Sequence, residues 1–109
     1  MIFEHRTYRV HPGQAPALLA LYEREGLPII SKYAKLIGCW TTESGVLNSV
    51  VFIWAYNDLA ARTARRAELG QDEDWKVFVP KMLPYLVHQE SFFWRPPRSH
   101  QSADRAFIF

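Results

Sequence analysis

From Ser49 to Tyr56 the chain reads SVVFIWAY, with no polar side chain between the first serine and the final tyrosine. Successive side chains of a strand point to opposite faces, so a strand with one wet face alternates apolar and polar residues. Here Val50, Phe52, Trp54 and Tyr56 share one side and Val51, Ile53 and Ala55 the other. Both sides are apolar, and the pattern does not say which faces inward. The stretch from His88 to Arg95, HQESFFWR, is similar: Phe92 and Trp94 point one way and Phe93 the other. Met1 to Val10, MIFEHRTYRV, puts Glu4 and Arg6 on one side and Phe3, His5 and Thr7 on the other. A charged pair is disfavoured against a helix layer, which assigns Phe3, His5 and Thr7 to the helix-covered face.

Between these strands the period changes. Leu18, Leu21 and Tyr22 fall at i, i+3 and i+4 in a helix over residues 15 to 25, interrupted by Gly26 and Pro28 and followed by a short segment from Ile29 to Tyr33. Leu36 to Thr41, LIGCWT, reads as the second strand. Asn57 or Asp58 caps a helix running to about Leu69. GQDED, residues 70 to 74, breaks it, and Asp74 caps a further helix in which Trp75, Phe78, Val79, Met82, Leu83 and Leu86 keep helical spacing, with Pro80 and Pro84 inviting a kink. The order β-α-β-β-α-β predicts an α+β, ferredoxin-like domain over residues 1–96, with a tail at 97–109. Right-handed crossovers place both helical layers on one face of a four-stranded antiparallel sheet, with strands 1 and 3 in the middle. The other face of strands 3 and 4 is then a greasy surface in need of a cover. A second copy of the chain is the expected one. The rival is the tail, ending Phe107-Ile108-Phe109, too small to cover a sheet.

The 109 residues suffice for one core. Thirteen Lys and Arg against 11 Asp and Glu give +2, too balanced to argue for a nucleic-acid or anionic-membrane partner. One cysteine, Cys39, rules out an intrachain disulfide and fits a reducing compartment. Glu4, His5 and Arg6 leave no room for an apolar leader, and no apolar run reaches membrane-spanning length. These features together predict a cytoplasmic protein.

Several stretches, in order, resemble the NIPSNAP family: Glu4-His5-Arg6-Thr7-Tyr8, then Pro12-Gly13, Gly26-Leu27-Pro28, Gly38-Cys39-Trp40-Thr41-Thr42-Glu43, Gly45 to Val51, Trp54-Ala55-Tyr56, and the helix from Asp58 to Ala67 with its Arg62. The resemblance implies a dimeric α/β barrel, two ferredoxin-like subunits packed sheet on sheet. Its wider superfamily includes cofactor-free monooxygenases, haem-handling proteins, dehalogenating and isomerising enzymes, and proteins of no known activity. Family members often carry a histidine on strand 3 where this chain has Phe52, and a leucine on strand 1 where it has His5.

For candidate chemistry, His5 beside a helix layer suits a general base near neutral pH, against a core histidine. Tyr33, Trp40, Trp54 and Tyr56 suit a pocket for a small apolar or aromatic ligand, against ordinary packing. His88 and Glu90 share a strand face, but with no further ligand spacing they read as an edge pair rather than a metal site. Glu4 and Arg6 read as a structural ion pair. Arg62, Arg65 and Arg66 read as a solvated helix face with Asp58 pairing Arg62, and Cys39 as a buried strand residue. No cofactor or metal is expected. Two functions follow: a homodimeric binder of a small apolar or aromatic molecule in a helix–sheet cleft, or a cofactor-independent monooxygenase- or isomerase-like enzyme with His5 as base.

Overall fold

A computed structural model describes residues 1–98. The chain runs β1 (Ile2–Val10), α1 (Ala15–Leu21), a wide helical turn at Tyr22–Gly26, α2 (Leu27–Ile30), β2 (Lys35–Thr41), β3 (Ser49–Tyr56), α3 (Leu59–Gln71), α4 (Glu73–Met82), a tight turn at Leu83–Tyr85 and β4 (Leu86–Trp94). The strands form one antiparallel sheet in the order β2-β3-β1-β4, so β1 and β3 are central as the pattern requires. It is an α+β, ferredoxin-like fold. Among the described residues no helix is long and apolar enough to cross a membrane. The tail from residue 99, with its Phe107-Ile108-Phe109, lies outside the described residues.

Local differences from the sequence reading have physical causes. Gly26 and Pro28 do not interrupt the first helix. The chain widens into a π-type turn through Gly26 and resumes with Pro28 in the first turn of α2, where its missing N–H costs nothing. A Cβ on Gly26 would stand 2.7 Å from Cζ of Phe78, so the glycine admits that ring against the turn. Asp58 caps α3 by accepting the Ala61 N–H at 2.7 Å. The cap of α4 is Asp72 rather than Asp74: its Oδ1 accepts from the N–H groups of Asp74 (2.9 Å) and Trp75 (3.2 Å).

Cross-strand pairing resolves the parities. Ile2, Glu4, Arg6 and Tyr8 lie opposite Tyr56, Trp54, Phe52 and Val50. All four of these β3 side chains are buried beneath the helices with Leu18, Tyr22, Leu69 and Phe78. Phe3, His5 and Thr7 therefore sit on the open face, opposite Ala55, Ile53 and Val51. This reverses the assignment made from charge: Glu4, a carboxylate, is fully buried under the helix layer. On the open face, Trp40, Phe92 and Trp94 are each about half exposed.

Candidate functional site

The reversal has its cause in partners that β1 alone does not display. Glu4 is gripped from three elements. Arg62 of α3 donates from Nε to Oε1 (3.1 Å) and from Nη2 to Oε2 (3.0 Å), Arg6 donates from Nη1 to Oε2 (2.8 Å), and the Ser91 hydroxyl of β4 donates to Oε2 (2.6 Å). Burial alone would push the Glu4 carboxyl up. The hydrogen bonds from Arg62, Ser91 and Arg6, with the charge of Arg6, outweigh it and bring it from an ordinary 4.5 down to about 2. Glu4 is thus ionised at neutral pH.

The network extends along the sheet. Arg6 Nε donates to the Tyr8 hydroxyl (3.1 Å) and Nη2 to Oε1 of Gln89 (3.3 Å). The Arg62 guanidinium lies over the Phe93 ring, 5.2 Å from its centroid. Above Phe52, the cross-strand neighbour of Arg6, the Tyr22 ring packs with centroids 4.6 Å apart. Its hydroxyl is buried and has no hydrogen-bond partner among the described residues. Burial, then the neighbouring Tyr8, raise the Tyr22 phenol well above its usual value, with Arg6 and Arg66 pulling the other way. Burial likewise raises Tyr56. One side of this region is unroofed: Gln89, Ser91 and Phe93, which face the helix side from edge strand β4, are all exposed.

The residues singled out from sequence do not form one site. His5 is on the open face, where Trp94 donates from Nε1 to its Nδ1 (3.2 Å) and Phe92 stands edge-on at 6.1 Å. It is remote in orientation from the helix-side cluster, which removes the geometric basis for a base in the helix–sheet cleft. Trp40 is also on the open face, paired with Val51. Trp54 is sealed in the core, stacked on Phe52 at 5.9 Å. Tyr33 and Tyr56 do meet, lining an open groove of about 590 Å³ with Lys32, Lys35, Ala61 and Arg65. There the Tyr33 hydroxyl donates to Oδ2 of Asp72 (2.6 Å), as does Lys32 Nζ (2.9 Å). These bonds hold the Asp72 carboxyl well below the usual range and raise Tyr33. Arg62 pairs with Glu4, not Asp58. Cys39 is exposed rather than buried, because β2 is an edge strand, and partial desolvation raises its thiol. His88 and Glu90 pair at 3.1 Å in the open.

Sequence reasoning missed Tyr8, Tyr22 and Ser91 and misplaced Glu4, Arg6 and Arg62. One signal was present. The α3 segment has few apolar residues, and only Leu69 of it is buried. A helix so poor in apolar anchors docks through something else, and here that is Arg62.

Comparison with known proteins agrees with this architecture. The NIPSNAP family model matches residues 3–99. Protein NipSnap homolog 3B of Mus musculus is 32% identical over 90 residues, 81% of this chain and 36% of its own length. Protein NipSnap homolog 3A of Homo sapiens is 30% identical over 93 residues, 84% of this chain and 37% of its own. The chain thus spans little over a third of these relatives. A NIPSNAP domain protein from Burkholderia xenovorans, described as uncharacterized, superposes with a TM-score of 0.88 at 52% identity, covering 90% of this chain and 96% of that one. A NIPSNAP family protein from Agrobacterium tumefaciens, of unknown function, does so at 0.86 and 37%, covering 90% and 89%. A putative antibiotic biosynthesis monooxygenase from Nitrosomonas europaea, at 0.62 and 8% identity with 86% and 96% covered, shares the fold alone. On the match over residues 3–99, this chain belongs to the NIPSNAP family.

Proposed function

We propose that this chain works as a homodimer that binds a small molecule on the helix side of its sheet, beside the Glu4–Arg6–Arg62 network. The observation that carries the reading is a charged cluster under the helix layer, bordered at β4 by the exposed helix-facing residues Gln89, Ser91 and Phe93. Apolar packing often serves a fold as well as a buried ion cluster does, so the retention of these ions supports a use for them beyond holding the fold. The exposed Phe93 ring beside Arg62 suits a small ligand with an apolar body.

The dimer rests on the other face. Trp40, Phe92 and Trp94, with Val51 and Ile53 between them, make a broad apolar surface on a flat sheet. A second copy offers the same flat surface in return, the self-complementarity that a two-fold interface requires. His5, beside Trp94, then belongs to the interface, where it orders aromatic contacts rather than abstracting a proton.

Sedimentation velocity at low micromolar concentration tests the assembly, and shift mapping with aromatic probes tests the cleft. A species of twice 12.7 kDa, with shifts gathered at Tyr8, Tyr22, Arg62 and Ser91, is expected. A single 12.7 kDa species overturns the dimer, and probe shifts confined to the open face overturn the cleft.

A further inference from the structure

We infer that the helix-side cleft takes a small aromatic anion, of the carboxylate class, whose negative head docks between Arg6 and Arg66 within reach of the Tyr22 hydroxyl. The inference rests on the cleft reading above and adds the chemistry of the ligand.

The cluster is short of negative charge. Among the described residues Glu4 is its only carboxylate, and Oε2 already accepts from Arg6, Arg62 and Ser91 while Oε1 accepts from Arg62. Arg62 spends both its near donors on Glu4. Arg6 spends one, and its remaining groups go to the neutral Tyr8 and Gln89, the latter at 3.3 Å. Arg66 makes no hydrogen bond or ion pair among the described residues, although it is only partly exposed. Three guanidiniums thus share one carboxylate.

Register brings Arg66 to the level of Arg6. Four residues along a helix advance about 6 Å, and two along a strand about 6.6 Å. α3 runs in the direction of β1, because it returns from the end of β3, which is antiparallel to β1. With Arg62 seated on Glu4, Arg66 one turn on comes level with Arg6, two residues on. Two guanidiniums at one level with only the Glu4 carboxylate, already shared with Arg62, to offset them leave room for a further negative charge.

The Tyr22 hydroxyl is the second observation. It is buried, lacks a partner among the described residues, and feels the charges of Arg6 and Arg66. A buried donor left unmade costs free energy, and a ligand oxygen satisfies it. Because Arg6 occupies the Tyr8 oxygen as a donor, the Tyr8 hydroxyl is also free to donate its own proton. The exposed Phe93 ring borders the approach with an apolar face, which suits an aromatic body behind the head.

Titration calorimetry of the full chain with benzoate, and with benzamide as its neutral isostere, tests this. Benzoate is expected to bind at least about tenfold more tightly than benzamide, the usual worth of a charge-assisted pair. Arg66→Gln should remove that preference and leave benzamide unchanged, while Tyr22→Phe weakens benzoate several-fold in a protein at least as stable as the parent. Arg66→Lys, which keeps charge without the fork, should fall between. Equal binding of both probes, untouched by Arg66→Gln, overturns the anion inference and leaves the cleft standing. If neither probe shifts the Tyr8, Tyr22 and Ser91 signals at tens of millimolar, both readings fall.

Discussion

Replacing Glu4 by glutamine keeps the size of the side chain and removes the charge that holds Arg6 and Arg62 together. The carboxylate has two acceptor oxygens, and both are used. The amide has one, and its NH2 would face guanidinium N–H groups, donor against donor. The magnitude follows from the carboxyl itself. Its folded value of about 2, against an ordinary 4.5, is a fall of roughly 2.5 pH units at about 1.4 kcal/mol each, so the ionised form contributes about 3–4 kcal/mol. Breaking a buried ion pair typically costs about 3–5 kcal/mol, which agrees. The sign in pH is fixed. A carboxyl depressed in the folded state stabilises fully above its unfolded value and loses that contribution as pH falls toward the folded one. The Glu4→Gln penalty should therefore be about 3–4 kcal/mol at pH 7 and shrink steadily between about pH 4.5 and pH 2, because the parent protonates and the variant cannot. Urea unfolding of both proteins at one fixed concentration, across that range, measures it; the fixed concentration matters because the proposed association would make the midpoint concentration-dependent. A penalty below about 1 kcal/mol, or one that does not change with pH, would refute the claim that a buried, ionised Glu4 organises this face.

Tyr22→Phe removes a hydroxyl that lacks a partner among the described residues, so it should raise the stability read from urea unfolding by about 1 kcal/mol in the absence of ligand; a loss of that size would mean the hydroxyl is satisfied. Phe92→Glu, on the open face, should halve the sedimenting mass to 12.7 kDa while leaving the circular dichroism of the folded chain intact. Gly26→Ala forces a methyl onto the sealed Phe78 ring and should cost about 1–3 kcal/mol, read from thermal or urea melts, despite alanine's better helix propensity. Asp72→Ala removes the cap of α4 together with its bonds to Lys32 and Tyr33, and should lower the thermal midpoint, with the gap to the parent closing as pH falls through the carboxylate range.

How far the sequence discloses this molecule depends on the distance over which each rule acts. The strand order and the ferredoxin-like class come from local periods and the handedness of crossovers, and the lack of a wet face on β3 is visible in eight consecutive residues. The facing of β1 is not local. The charge rule sends Glu4 and Arg6 to water unless partners meet them inside, and those partners, Arg62 and Ser91, stand 58 and 87 residues from Glu4. Nothing in MIFEHRTYRV contains them. The same limit scattered the aromatic candidates. Tyr33 and Tyr56 line a shared groove, but Trp40 and Trp54, both read as pocket walls, ended on opposite faces of the sheet, since an irregularity between Leu36 and Gly38 sets the register of β2. Helix continuity through Gly26 was hidden for a different reason: breaker residues report the isolated chain, while the packing of Phe78 against that turn decides the folded one.

The two proposals meet in β4. Its nine residues are exposed on both faces for most of their length. An edge strand so placed is held chiefly by its ladder to β1. Yet it supplies Ser91 to Glu4 at 2.6 Å and Phe93 to Arg62 on one side, and Phe92 and Trp94 to the open face on the other. A second copy packed on Phe92 and Trp94 would bury one side of this strand and so fix the position of Ser91 on the opposite side, without touching the cleft. Association on one face of the sheet would then set the order of a charged site on the other. Alternating side chains along a single strand are enough to connect them, because a strand cannot shift one set of residues without moving the other.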